Sequence, residues 1–141
     1  MKLGDSLQKK INGLIQLNKT LPILVANEAK NFFVDSFRKQ GFEDTGLKKW
    51  QRRKSRRNDK GRSILVDTGD LRRSIRIKSA SMNRILITSD LPYSAVHNYG
   101  KRAGRGKGFT MPKRKFMGKS KKLDSMIVKL IKKETNKVLK P

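Results

Sequence analysis

Few side chains in this sequence are of types that do chemistry at neutral pH. The single histidine, His97, could act as a general base, but such a base needs a nucleophile within hydrogen-bond reach. The chain has no cysteine, which removes thiolate nucleophiles, thiolate zinc sites and disulfides together. No serine near His97 stands in the sequence context of an attacking hydroxyl, and one imidazole excludes any site built on two. Asp67 and Asp70 are carboxylates three residues apart, a spacing open to metal or acid–base work. Thr68 and Gly69 lie between them, however, and the cluster reads more simply as a turn followed by a helix cap. GRGKG at 104–108 has the glycine density of a phosphate cradle, yet it lacks the Gly-Lys-Ser/Thr ending of a P-loop and its flanking strand and helix. The residue set therefore points away from catalysis. No catalytic, cofactor-binding or metal-binding residue is expected, and no small-molecule substrate.

Charge is the louder signal. Across 141 residues, 36 Lys and Arg face 11 Asp and Glu, a formal charge of +25. Such a balance attracts nucleic acid or acidic protein surfaces and repels copies of itself. Nine of the fifteen residues from Lys48 to Arg62 are basic, as are ten of the twenty-two from Lys101 to Lys122, where no acid occurs and four glycines interleave. Neither stretch has the apolar periodicity of a buried element. Residues 48–62 and 101–119 are thus expected to be flexible basic loops of a single domain spanning 1–141. Lys48, Arg52, Arg53, Arg56, Arg57, Lys101, Arg102, Arg105 and Lys107 are the candidate contacts to a polyanion or partner. Phosphate contact needs no fixed spacing; solvated loops that order against a protein partner fit equally well. Trp50 and Phe109 could stack on bases or anchor their loops to the core.

The elements that must position these residues follow from periodicity. Leu, Ile, Val and Phe fill 36 of the 141 positions, about a quarter, above the roughly one-fifth below which a highly charged chain stays disordered. A small core is expected. No apolar run approaches the roughly 18 residues of a membrane span, and Asp5 and Gln8 interrupt the apolar stretch a signal peptide would need. Leu7, Ile11, Leu14 and Ile15 share a helical face, continued by Val25, Ala29, Phe32, Phe33 and Phe37 up to Gly41. Core packing is the expected role of this whole stripe. Pro22 either breaks it into two helices, with Thr20 capping the second, or kinks one. Ser63–Val66 is a strand candidate, followed by a turn and a helical turn capped by Asp70. Ile75 and Ile77, then Ile85 and Ile87, alternate with polar residues on either side of Ala80–Asn83, which predicts an antiparallel hairpin. Its outward side chains are Arg76, Lys78 and Arg84. Tyr93–Gly100 fits a short helix stopped by glycine, and Ser120 can cap a terminal helix with Leu123, Ile127, Leu130, Ile131 and Val138 on its apolar face. The fold class is α+β: N-terminal and C-terminal helices packed on a small antiparallel sheet, with long basic loops.

Four phrases in this order resemble one family. They are Phe42-Glu-Asp-Thr-Gly-Leu-Lys-Lys-Trp50, Leu65-Val-Asp-Thr68-Gly69-Asp-Leu71-Arg-Arg-Ser74-Ile75, Tyr93-Ser-Ala-Val-His97-Asn-Tyr-Gly100 and Met111-Pro112-Lys-Arg114-Lys-Phe116-Met-Gly118. The set is similar to the tailed-phage virion morphogenesis family of tail-completion and neck proteins. Ser94 separates Tyr93 from Ala95, where the family often has Tyr-Ala directly, and Thr45 stands where proline is frequent. The run after Trp50 is unusually basic. The resemblance implies a structural role in tail completion or at the head–tail junction, as a closed cyclic oligomer in contact with other tail or neck proteins. It implies a location in the virion, and in the host cytoplasm during assembly. The motif residues Trp50, Thr68, Gly69, Leu71, Ser74, Tyr93, His97, Gly100, Pro112, Arg114, Phe116 and Gly118 come with structural roles and no catalytic ones. Trp50 and Phe116 are expected to pin their loops to the sheet or to a neighbouring subunit, while Tyr93, His97 and Gly100 form a packing seam. Non-specific nucleic-acid binding is the rival reading.

Overall fold

A computed structural model describes residues 2–54 and 61–140. Helix α1 (Leu3–Lys39) is followed by strands β1 (Gly41–Glu43) and β2 (Leu47–Lys49), and by the short helix α2 (Asp70–Arg73). Strands β3 (Ile75–Ala80) and β4 (Ile85–Ser89), helix α3 (Ser94–Tyr99), strands β5 (Arg102–Ala103) and β6 (Phe109–Thr110), and helix α4 (Lys121–Leu139) complete the described elements. Each consecutive strand pair forms a two-stranded antiparallel ladder. The class is α+β.

The core forms where the apolar face of α1 meets everything else. Phe32, Phe33 and Phe37 are buried beside Phe42, Trp50, Leu71, Ile75, Phe116 and Leu123. The rings meet edge-on or tilted: Phe37 lies 5.5 Å from Trp50 and 5.3 Å from Phe116, centroid to centroid. Such pairs add about 0.5–1.5 kcal/mol beyond the area they bury. Trp50 and Phe116 therefore pin their segments to α1.

Helix α1 runs unbroken through Pro22, so the two-helix alternative is wrong. A mid-helix proline forfeits one hydrogen bond and crowds the preceding turn. Here Asn18, whose carbonyl loses its donor, is exposed to water, while Leu21 and Pro22 are buried. Thr20 caps nothing; its hydroxyl donates back to the Gln16 carbonyl at 3.2 Å.

The stripe on α1 is also only half a core. Leu7, Ile11, Leu14 and Ile15 are exposed, contrary to expectation: Leu7 and Ile11 lie on the part of α1 that projects past α4, and Leu14 and Ile15 stay exposed beside its last turns. Helix α4 starts beside Asp44, whose carbonyl accepts from Lys122 N. It ends with Val138 against Gly13, where a Cβ would come within 2.7 Å of Val138. The two helices are antiparallel, and α1 projects beyond α4 by roughly ten residues, or about 15 Å at 1.5 Å per residue. Of α4's apolar face, only Leu123 is fully buried; Ile131 is exposed. Its start follows the sequence closely, with Ser120 Oγ accepting from Leu123 N at 3.1 Å, an N-cap bond that satisfies an otherwise orphan donor.

The hairpin is present as β3–β4, with a bulge at Lys78 between the Ile77–Ile87 and Ser79–Leu86 pairs. Ile75 is buried, while Arg76, Lys78 and Arg84 face solvent. Ser63–Val66, expected as a strand, is a turn. Leu65 has a left-handed φ of 59°, and Val66 N bonds Ser63 O at 3.4 Å. The Gln40 side chain takes the place of a neighbouring strand, accepting from Ile64 N at 2.5 Å and donating to Ile64 O at 3.0 Å. Two further ladders, not expected from the sequence, are present: one runs into the start of the first basic loop, and the other lies within the second. Leu47–Lys49 pairs with Gly41–Glu43, and Arg102–Ala103 with Phe109–Thr110.

Candidate functional site

Three of the four motif phrases interlock around one segment, residues 113–117. Helix α3 stops at Gly100, whose φ of 72° lets the N–H groups of Gly100 and Lys101 both reach Val96 O at 3.0 Å. A Cβ at Gly100 would lie 2.9 Å from Lys113 Cβ and 3.0 Å from its backbone, so glycine is needed twice, for conformation and for close approach. The segment then bonds to α3. Arg114 N donates to His97 O at 2.8 Å, and Asn98 Oδ1 accepts from Phe116 N at 2.8 Å and Met117 N at 3.0 Å. Asn98 Nδ2 donates to Met117 O at 3.2 Å. From the other side, Trp50 Nε1 donates to Lys115 O at 2.7 Å. Alternate residues point inward: Arg114 and Phe116 are buried, while Lys113 is exposed.

The Thr68–Ser74 phrase forms a second fastening. Gly69, at φ 80°, precedes α2, and Asp70 is the first helical residue rather than the cap. Thr68 Oγ1 pairs with the Asp70 carboxylate, and Arg73 donates to Thr68 O at 2.8 Å and to Asp70 Oδ1 at 2.6 Å. These contacts, Thr68 first and Arg73 second, hold the Asp70 carboxyl below its ordinary pKa. Leu71 is buried, and Ser74 Oγ meets Ser89 Oγ at 2.6 Å, tying α2 to the end of β4. The paired aspartates thus do turn and ion-pair work.

Between the two fastenings opens a cleft of about 910 Å³. Thr68, Gly69, Leu71, Tyr93, His97, Pro112 and Arg114 all line it, joined by Arg53, Lys54 and Arg62 from the first basic run and by Phe109 and Met111 from the second. The cleft's two acids are engaged: Asp67 with Arg62 at 2.8 Å and Asp70 with Arg73. Arg114 is only 6% exposed, and its Nε and Nη2 donate to the Gln51 carbonyl at 3.2 and 3.1 Å. Burial first, and then the Arg53 charge, push its pKa down from the ordinary value. His97 stacks edge-on to Tyr93, with ring centroids 6.1 Å apart. Its pKa is lowered by burial first and by Arg114 second, which favours the neutral imidazole, and its buried Nδ1 has no partner among the described residues. No nucleophile is positioned against it by any of these bonds.

The basic candidates do not form one patch. Arg53 reaches the cleft and donates to Ser63 O at 3.5 Å, while Lys48, on β2, and Arg52 are exposed. Arg56 and Arg57 lie outside the described residues. Lys101 sits 5.5 Å over the Tyr99 ring. Arg102 is spent on its own hairpin, donating to the carbonyls of Gly106 and Lys107, and Arg105 and Lys107 are exposed near its tip. Gly118 is an exposed left-handed residue leading into α4. Sequence reasoning missed Asn98 and Gln40, the two amides that clamp backbone. Their only signal was position, inside the Tyr93–Gly100 phrase and just before Gly41.

Among the described residues, no helix is long and apolar enough to cross a membrane, and no group of three His, Asp or Glu side chains could hold a metal. No solved structure matches the chain. The chain is 35% identical over 78 residues to the Mu-like prophage FluMu G protein 2 of Haemophilus influenzae strain Rd, an alignment covering 55% of this chain and 53% of that protein. It thus spans about half the length of this curated relative. The model of the phage virion morphogenesis family matches residues 39–136. That stretch runs from the last residue of α1 into the final turns of α4 and contains every fastening described above. Since it makes up well over half of the sequence, the chain belongs to the phage virion morphogenesis family.

Proposed function

We propose that this chain is a structural subunit of a phage particle, acting in tail completion or at the head–tail junction through contacts between copies and with other tail or neck proteins. One observation carries the reading. Within the family-matched region, the motif residues are spent on turns, backbone clamps and core anchors, and they leave an open cleft rather than a reactive set. Among the described residues, three separate two-stranded ladders favour assembly as well, since each has edges that neighbours in a closed cyclic oligomer could cover.

Charge sets a condition on that assembly. Copies carrying +25 repel one another at low ionic strength unless acidic partners or passing DNA neutralise them. Self-association should therefore strengthen with added salt when no polyanion is present. Sedimentation velocity at low and high salt reads this directly, and weaker assembly at high salt contradicts it. Mass spectrometry of purified particles tests the role itself: the chain should be present at a fixed ratio to tail or neck proteins. A chain confined to the lysate supernatant defeats the reading.

The same charge favours a second reading, a non-specific nucleic-acid-binding protein. Its signature is affinity for random duplex that falls by roughly three to five decades between about 50 and 200 mM salt, if about six to ten phosphates are neutralised. Filter binding separates the two, since the assembly reading requires no such affinity.

A further inference from the structure

The cleft has a buried cation that the described residues leave without a counter-charge. A guanidinium carries five N–H donors, and the contacts of Arg114 to Gln51 use only its Nε and Nη2. No carboxylate among the described residues reaches it. Its Nη1 is not sealed either, because the only buried side-chain polar atoms left without a partner among the described residues are Thr88 Oγ1 and His97 Nδ1. The free face of the guanidinium therefore opens to the cleft. Buried charges in proteins are nearly always paired, and a planar guanidinium best suits a carboxylate or phosphate taken by two parallel hydrogen bonds.

The surroundings decide between those anions. Leu71, Tyr93, Phe109 and Met111 give part of the cleft an apolar lining, and Lys54 adds a cation beside the Arg62–Asp67 ion pair. A duplex backbone is best met by exposed cations on an accessible surface, and a guanidinium only 6% exposed in a cleft with apolar as well as charged lining is poorly placed for it. A narrow carboxylate side chain flanked by apolar residues fits both features.

We propose that this cleft is a docking site for an acidic, apolar-flanked segment of another virion protein, one of whose carboxylates is received bidentately by Arg114. The proposal rests on the assembly reading for the origin of its partner, and on geometry for everything else. The probe is a short blocked peptide carrying Asp and Glu between Leu and Phe, titrated into the full chain while the Arg114 side-chain and His97 ring resonances are followed. Its Asn/Gln counterpart, inorganic phosphate and random duplex are the comparison arms. The acidic peptide should move both sets of signals and bind about tenfold or more tighter than the amide version, the range expected of hydrogen bonds to a charged group. Arg114→Lys, which keeps the charge and loses the fork, should weaken binding by about as much. If that variant does not fold, Met111→Glu, which places a like charge on the half-buried wall, should abolish binding.

Equal binding of acid and amide peptides overturns the proposal. So does displacement of the peptide by phosphate or duplex with the same signals moving, which would make the cleft a phosphate site. Arg114 signals that shift with protein concentration alone would assign the cleft to a second copy and equally overturn it. If the chain is absent from particles but binds the peptide, the assembly reading fails alone; if it is present but binds nothing, only the docking site fails.

Discussion

Replacing Asn98 by alanine should destabilise the protein out of proportion to the atoms removed. Asn98 is 5% exposed and exchanges three hydrogen bonds with Phe116 N, Met117 N and Met117 O, at 2.8, 3.0 and 3.2 Å. Truncation orphans all three backbone groups, and a buried group left unpaired costs about 1–3 kcal/mol. Phe116 is fully enclosed, whereas Met117 is half-buried, so water can serve part of the Met117 deficit. The expected cost is about 2–4 kcal/mol, a large share of the roughly 5–15 kcal/mol by which domains are stable. For a chain of this length, that lowers Tm by roughly 8–16 °C. Urea unfolding followed by the emission of Trp50 reads it cleanly. The chain has one tryptophan, it packs on Phe37 beside the affected segment, and urea, unlike a salt denaturant, does not screen charge. Tyr99→Ala is the control one residue away; at 62% exposure, with only a cation over its ring, it should cost less than about 1 kcal/mol. An Asn98→Ala protein within about 0.5 kcal/mol of the parent, or a Tyr99→Ala protein as damaged as it, would refute the clamp.

Three other outcomes follow from the same geometry. Gly100→Ala should cost more than about 1 kcal/mol, because φ is 72° and the new Cβ meets the Lys113 backbone at 3.0 Å; Gly46→Ala, with nothing within 4 Å, should be close to neutral, as thermal melts would show. His97 has a lowered pKa in the folded protein, so below its ordinary value near 6.5 the unfolded chain binds the proton first. Stability should be complete above that pH and fall as pH drops toward the folded value, a slope that urea titrations at stepped pH should find missing in His97→Gln. The lowered carboxyls of Asp35 (Arg38 beside it) and Glu43 (Lys39 beside it) lose their contribution only as pH falls below the ordinary carboxylate range, so the His97 loss begins first. Leu7→Ser with Ile11→Ser should leave the unfolding free energy of the isolated chain, from urea titration, within about 0.5 kcal/mol of the parent, since both side chains are exposed; a larger loss would place them in a core.

Local chemistry was what the sequence made legible. Gly100, Ser120 and the Thr68–Gly69 turn act through bonds to residues a few positions away, so their roles can be read from neighbours, and the alternation at 75–77 and 85–87 has one strand period. Errors arose where a distant element decided the outcome. Leu7 and Ile11 have the same helical spacing as Val25 and Ala29, but nothing in that spacing says where α4 ends. Pro22 signals a break, yet burial on one side and exposed Asn18 on the other let the helix pass. Ser63–Val66 has strand composition, but Gln40 supplies its hydrogen bonds from 24 residues away. The short ladders at 41–49 and 102–110 were hidden because lysines and arginines carry no apolar period. The cleft was half visible: its motif residues were named as a set, but only the folded chain shows Arg114 buried in its lining.

The most direct measurement of the assembly role is electron microscopy of lysates from a phage or induced prophage whose copy of this chain is deleted. The account predicts filled heads and tails that accumulate separately, or tails of abnormal length, with infectivity restored by the intact chain supplied in trans. Joined, infectious particles of normal form in its absence would contradict it.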